Sequence, residues 1–221
     1  MERRPRFGGH VMREGIFISI EGGEGAGKST QISALAAYLR ARGIEVVLTR
    51  EPGGTEGAEA IRNLLLAGTD DRWGKAAEAL LFAAARSDHV EKLIKPALAT
   101  GKWVITDRYV DSSRAYQGAS LGLGDADIMT LHAIGSGGFL PALTLVLDLP
   151  PDVAAQRLQR RDAGVSDRIG GRSSEFHAKV RAAFLQIAKQ EPERVHIIDA
   201  NDTAEQVTQS LVATLAGFLP Q

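Results

Sequence analysis

Between the apolar run Ile16–Ile20 and a helical pattern beginning near Ser29 the chain reads Glu-Gly-Gly-Glu-Gly-Ala-Gly-Lys-Ser-Thr-Gln, residues 21–31. No other stretch restricts the fold as tightly. Glycines at 22, 23, 25 and 27 let the backbone take positive φ and turn its N–H groups toward one point. A helix starting near Ser29 adds the positive end of its dipole there. Lys28 adds a full charge and Ser29 a hydroxyl. A strand, a bare loop and a helix joined in this way form a cradle for an anion.

The spacing Gly22-x-x-x-x-Gly27-Lys28-Ser29 fills every fixed position of the phosphate-binding P-loop. The expected ligand is therefore a nucleoside triphosphate, ATP with Mg²⁺. Residues Gly22, Gly23, Glu24, Gly25, Ala26, Gly27, Lys28, Ser29 and Thr30 are expected to wrap it. Lys28 would reach the β- and γ-phosphates, and Ser29 would ligate Mg²⁺. No Asn-Lys-x-Asp guanine-reading motif occurs, which argues against a GTPase. A small kinase is the natural remaining class.

Strand and helix patterns alternate along the chain. Ile16–Glu21, Val46–Thr49, Trp103–Asp107, Leu143–Asp148 and Val195–Asp199 read as strands. Ser29–Arg42, Ala58–Leu66, Ala76–Leu93, a helix opened by Pro150-Pro151-Asp152, and Thr203–Leu219 read as helices. Pro96 is expected to bend or restart the chain after the third of these. The order predicts an α/β fold of the P-loop NTPase type, three layers α/β/α around a five-stranded parallel sheet. Ligands of such sheets bind beyond the carboxyl ends of the strands. The glycine loop, Arg50-Glu51, Asp107-Arg108 and Asp148 all fall at such ends. With 221 residues and 44% hydrophobic content, one domain over residues 15–221 is expected, preceded by a disordered lead at 1–14. There is no internal repeat.

The balance of 26 basic and 27 acidic residues gives no electrostatic case for a nucleic-acid polymer or a membrane surface as partner. The absence of cysteine excludes disulfides and thiolate chemistry, and fits a reducing compartment. No apolar run is long enough to span a membrane. The basic N-terminus lacks the apolar core of a signal peptide, so a cytoplasmic location is expected. The five histidines show no metal-ligand spacing, and His89 and His177 read as solvent-facing helix residues.

Three further stretches carry polar groups suited to a second substrate. Thr49–Thr55 (Thr-Arg-Glu-Pro-Gly-Gly-Thr) places Arg50 and Glu51 after a strand. Phe82 and Arg86 are i,i+4 on one helix face, where a ring and a guanidinium stand side by side. In Trp103–Gly118, Asp107 ends a buried strand, where a Mg²⁺-side carboxylate belongs. Arg108 beside it has the fork geometry for an acceptor phosphate.

Ile-Glu-Gly-Gly-Glu-Gly-Ala-Gly-Lys-Ser-Thr, Thr-Arg-Glu-Pro-Gly-Gly-Thr, Phe-Ala-Ala-Ala-Arg and Asp-Arg-Tyr-Val-Asp-Ser-Ser-Arg-Ala-Tyr-Gln-Gly occur in the order and spacing of the bacterial-type thymidylate kinases. The resemblance runs from about Ile16 to Leu219. It implies transfer of the γ-phosphoryl of ATP to dTMP, a homodimer, and roles at matching positions. Phe82 would stack on thymine, and Arg86 would meet the base edge and help with the monophosphate. Arg108 would bind the acceptor phosphate with Arg50 nearby, and Glu24 would lie close to the acceptor sugar. Tyr116 would crowd the ribose 2′ position, with Gln117 beside it. Ser113 stands where some relatives carry a larger polar side chain near the base. The helix Ala76–Leu93, rich in small and apolar residues, is the expected dimer contact.

Gly23, Glu24, Gly25 and Ala26 leave the loop without the basic residue that one branch of this family carries there. The segment Arg157–Arg172, with five arginines, resembles the family's lid and can supply that charge. Arg160 or Arg161 is expected at the phosphates as a catalytic group with Lys28, Asp107 and Arg108, and Arg168 is expected to help bind ATP. The alternatives are a kinase for another nucleoside monophosphate or a deoxynucleoside, and a non-catalytic ATP-binding protein.

Overall fold

The computed structural model describes residues 15–162 and 168–219, with backbone alone at 158 and 160–162. The expected residues 1–14 lead lies outside the described residues. Five parallel strands form one sheet: β1 (Phe17–Gly22), β2 (Val46–Arg50), β3 (Trp103–Asp107), β4 (Leu143–Asp148) and β5 (Val195–Asp199), in the order β2-β3-β1-β4-β5. The register places Ile20 beside Asp107 on one side of β1, and Gly22 beside Leu147 on the other. The glycine loop thus leaves the centre of the sheet, where the strand order reverses and a crevice opens.

The two faces of the sheet differ chemically because side chains alternate along each strand. Ile18, Ile20, Ile105, Leu143, Leu145 and Leu147 pack on one face with Leu35 and Leu39 of α1 (Lys28–Arg40) and Leu211 and Leu215 of α9 (Ala204–Leu215). Full burial of each such side chain contributes roughly 1.5–3 kcal/mol. The intervening positions Ser19, Glu21, Thr106 and Thr144 are polar and fully buried. They face α5 (Val110–Ser113), the π-helical turn Arg114–Ser120 and α8 (Ser174–Gln190), with which Glu21 and Thr144 share hydrogen bonds or ion networks. One face is held by apolar packing, and the other carries a polar seam that leads up to the crevice.

The remaining helices are α2 (Glu56–Leu66), α3 (Lys75–His89), α4 (Lys95–Ala99), α6 (Asp125–Ser136) and α7 (Pro151–Asp162). The expected helix Ala76–Leu93 ends as a regular α-helix at His89. A π turn, Val90–Ile94, follows, and the helix restarts at Lys95 with Pro96 in its first turn, where a missing N–H is harmless. The expected closing helix ends at Leu215 and finishes in a 3₁₀ turn, Ala216–Phe218. Its start is a capping box between Thr203 and Gln206. Helix α6 was not anticipated from the sequence, and α8 only through the reading of His177 as a helix residue. The latter is capped by Ser173, whose hydroxyl accepts from the Phe176 N–H.

Candidate active site

β1 runs so close to β4 that a Cβ on Gly22 would lie 2.4 Å from the Leu147 carbonyl oxygen, so only glycine allows the loop to leave the sheet here. The loop turns into α1 at Gly27. Lys28 is buried, and its Nζ donates to the carbonyls of Gly23 at 2.9 Å and Gly22 at 3.4 Å. Burial and the nearby Arg108 charge push the ammonium pKa down, while Glu24, Asp107 and Glu21 oppose that shift. Ser29 and Thr30 lie exposed in the first turn of α1. Ala26 is buried among the apolar core residues instead.

Across the loop stands Arg108, the one non-glycine residue with positive φ (70°) among the described residues. Its turn is fixed on both sides. The Arg108 N–H donates to Ile20 O at 3.0 Å, and the Thr106 hydroxyl donates to Arg108 O at 2.9 Å. The next N–H, of Tyr109, donates to Glu21 Oε1 at 2.6 Å. Bent back in this way, the guanidinium donates to Gly22 O at 2.9 Å and to Glu24 Oε1 at 2.5 Å. The Arg108 charge holds Glu24 down to a pKa of about 2, against the effect of burial. Glu21 behaves oppositely. Burial, reinforced by the Asp111 charge, raises it to about 7 although Ser112, Ser19 and Arg108 favour its anion. Burial works against the Arg108 cation, but Tyr116, Glu24, Asp107 and Glu21 together raise its pKa further.

Beside this pair lies a cavity of about 470 Å³. It brings together Glu24, Gly25, Gly27, Lys28, Ser29 and Thr30 from the loop and α1 with Asp107 and Arg108 from β3. Arg50 after β2, Phe82 and Arg86 of α3, and Ser113, Tyr116 and Gln117 from α5 and the π turn complete the set. Ser113, Tyr116 and Gln117 stand at i, i+3 and i+4 and so share one face. Arg86 donates to Ser113 Oγ at 2.8 Å, and the Tyr116 ring lies 5.1 Å from the Arg108 guanidinium carbon. Arg50 pairs with Glu59 at 3.1 Å. Asp107 Oδ1 is buried without a hydrogen-bond partner. With the Ser29 hydroxyl it forms a hard-oxygen pair suited to Mg²⁺. Among the described residues no three His, Cys, Asp or Glu side chains cluster as metal ligands.

Other expectations turn out differently. The Arg168 guanidinium does not join the loop. It donates to Leu65 O at 2.8 Å and to Glu78 Oε2 at 2.6 Å, because buried Glu78 needs cationic partners and finds Arg168 and Arg172. The side chains of Arg160 and Arg161 lie outside the described residues. Arg157, three residues earlier on α7, lines the cavity. His89 is not solvent-facing: it is fully buried between Glu51 and Thr49. His177 is half-buried, with its Nε2 3.2 Å from Gly170 O. Arg62, Leu66, Ser112 and Ile169 also line the cavity and were not singled out from the sequence. Of these, Ser112 could have been found from its place four residues after Arg108, whose Nη1 donates to it at 3.2 Å.

The family model described as "Thymidylate kinase" matches residues 20–211. The chain is 57% identical over 206 residues to a thymidylate kinase of Rhizorhabdus wittichii, covering 93% of this chain and 99% of that one. It is 50% identical over 203 residues to a thymidylate kinase of Caulobacter vibrioides, covering 90% and 95%. The crystal structure of thymidylate kinase from Ehrlichia chaffeensis superposes with a TM-score of 0.73 at 34% identity, covering 91% of this chain and 99% of that one.

Proposed function

The chain belongs to the thymidylate kinase family, and from that premise we propose that it transfers the γ-phosphoryl group of ATP to dTMP, giving dTDP and ADP. The observation that carries this reading is one cavity holding both Lys28 of the glycine loop and the Arg108–Phe82–Arg86–Tyr116 group. A protein that only bound ATP has no use for the second group. The bent-back Arg108 faces the loop from the acceptor side and suits the monophosphate of dTMP.

Phosphoryl transfer asks the protein for alignment and positive charge more than for covalent chemistry. The acceptor oxygen is already anionic near neutral pH, so no side chain need remove a proton. Lys28, with the N–H groups of the loop and of the first turn of α1, would hold the β- and γ-phosphates. Ser29 and Asp107 would hold Mg²⁺, which neutralises phosphate charge when bound. Arg108 would draw the acceptor phosphate in line, with Arg50 near it, and Glu24 would keep Arg108 aimed while lying close to the acceptor sugar. Phe82 would stack on the base, Arg86 and Ser113 would meet its edge, and Tyr116 with Gln117 would close the space beside the sugar. Arg157, which lines the cavity, supports a donor-side role for α7, and the expectation that Arg160 or Arg161 serves as a catalytic arginine at the phosphates goes with that role.

A homodimer through α3 is part of the same reading. Leu80 on α3 is 55% exposed and Ile134 on the adjoining α6 is 80% exposed, apolar side chains that a second copy would cover. No described helix is long and apolar enough to cross a membrane, and a cytoplasmic site of action goes with the family reading.

The test is ADP production from ATP and Mg²⁺ with dTMP, dUMP, UMP, CMP, AMP, GMP and thymidine offered separately. The expected order is dTMP first, with dUMP weaker. Thymidine as best acceptor would move the protein to the nucleoside kinases. Preference for another monophosphate would overturn the roles of Phe82, Arg86 and Tyr116.

A further inference from the structure

A line of buried hydrogen bonds runs behind the acceptor end of the cavity. The Thr49 hydroxyl lies 2.7 Å from His89 Nε2, and His89 Nδ1 lies 3.0 Å from Glu51 Oε1. Glu51 Oε2 accepts from Arg86 Nε at 2.8 Å, and Arg86 Nη2 donates to Ser113 Oγ at 2.8 Å and to Tyr109 O at 3.4 Å. His89, Glu51 and Arg86 are each at most 5% exposed. The line joins the end of β2 to α3 and α5.

A carboxylate only accepts, so His89 carries a proton on Nδ1, and its Nε2 meets the Thr49 hydroxyl, a group that can donate or accept. Each bond in the line then has a donor at one end and an acceptor at the other, which favours a rigid buried network. The fold is built around it. Gly54, with φ 90°, lies so close that a Cβ there would stand 2.4 Å from Thr49 Oγ1 and 2.6 Å from His89 Nε2. Glycine at position 54 is therefore what lets the chain pass this close to the pair.

The consequence falls on Arg86. Its Nε and Nη2 are taken by protein acceptors, and no hydrogen bond to Nη1 occurs among the described residues. Glu51 offsets its charge at hydrogen-bond distance. What reaches the cavity is a locked, charge-compensated donor edge, suited to a neutral carbonyl acceptor more than to a phosphate.

We propose that Glu51 and His89 are positioning residues that set acceptor affinity and base selectivity by holding Arg86 in one orientation, His89 acting through Glu51 and Thr49 through His89. The inference rests on the dTMP kinase reading. Neither residue need touch the acceptor phosphate or ATP.

The experiment is steady-state kinetics of the full chain with dTMP and ATP varied in turn, on Glu51→Gln, His89→Leu, His89→Asn and Thr49→Val. Asn can still donate from the Nδ1 position to Glu51, whereas Leu cannot. Glu51→Gln and His89→Leu should raise the dTMP KM about tenfold and leave the ATP KM within about twofold. They should also narrow the preference for dTMP over CMP. His89→Asn should restore most of the loss, and the near-isosteric Thr49→Val should raise the dTMP KM about threefold. Should His89→Leu not fold, Glu51→Gln and Thr49→Val carry the test. An unchanged dTMP KM, or equal rises in both KM values without rescue by Asn, overturns the inference while wild-type dTMP turnover leaves the kinase reading intact. A wild-type chain without dTMP-dependent turnover overturns both.

Discussion

Arg108 takes a backbone conformation that costs a bulky side chain about 1–3 kcal/mol, and it persists because the bonds to Ile20, Thr106 and Glu21 on either side leave it no alternative. The strain aims a guanidinium back over the glycine loop instead of out along β3. Removing that charge, or the ammonium of Lys28, should be felt in the chemical step. Arg108→Ala and Lys28→Ala are each expected to lower kcat by at least about 10²-fold, as lost charge stabilisation in a water-poor site does. ADP production at saturating dTMP and ATP measures this, and a near-wild-type rate in either variant removes that residue from the site. The strain has its own signature. Arg108→Gly should be as inactive as Arg108→Ala yet melt at a higher temperature, because glycine accepts φ 70° freely. Equal melting temperatures would mean that the turn is not strained.

At the scale of elements, α5 and the π turn carry four of the residues that line the cavity, Ser112, Ser113, Tyr116 and Gln117. They are anchored from beneath by Asp111. Its carboxylate accepts from Arg194 at 2.7 and 2.9 Å, from Arg114 at 3.0 Å and from the Thr144 hydroxyl at 3.0 Å, and it is fully buried. Arg114 reaches on to Asp125 and Glu191, so one cluster ties α5 to β4, α6 and the end of α8. Removing the centre of such a cluster leaves buried cations uncompensated. Asp111→Ala is expected to cost about 3 kcal/mol, clearly more than Glu175→Ala, which breaks a solvent-exposed pair, as read by urea unfolding. Similar losses for the two variants would show that the cluster is not a structural keystone. Glu78 plays a related part on α3, accepting from Gln117, Arg168 and Arg172, and so it joins the cavity wall to the chain that follows residue 167.

Over the whole molecule, buried carboxylates give stability a pH dependence with opposing contributions. Glu21 has an ordinary value of 4.5 and a native value of about 7, so between these the native state binds more protons than the unfolded chain. Its contribution is complete below pH 4.5 and is lost as pH rises through about 7. Burial drives His132 down from 6.5 to about 4, so its contribution is present above pH 6.5 and is lost as pH falls toward 4. Glu24, held near 2 by Arg108, and Asp111 and Glu78, also held low, lose their contributions as pH falls below the ordinary carboxylate range. The Glu21 component can be isolated with Glu21→Gln, which keeps the shape and cannot ionise. Relative to wild type, this variant should gain stability between pH 4.5 and 7.5, on the order of 3 kcal/mol in total. A difference that stays flat with pH would show that Glu21 titrates normally.

Much of this protein follows from the chain alone. The glycine loop could be placed because its chemistry is local: strand, bare backbone, lysine and helix are consecutive, and each needs only its neighbours. Strands Leu143–Asp148 and Val195–Asp199 are legible to the residue because burial in a parallel sheet demands a short, continuous, mostly apolar run. The same holds for Phe82 with Arg86, whose helical spacing alone puts them on a common face, whereas Ser113, Tyr116 and Gln117 came from the family resemblance and only the structure sets them on α5 and the π turn. Helix spacing could not reveal that His89 is buried, since a histidine at the end of a helix looks solvated until the Thr49–Gly54 turn is folded over it. Nor could it show that Arg168 answers Glu78 and not the phosphate loop, because a charge chooses among partners about 90 residues away only once the chain is packed. Position in sequence determines which groups can share an element. Which buried charges pair, and hence which arginine is left to meet a ligand, is decided only by the tertiary structure, where desolvation makes each unpaired group too costly to keep.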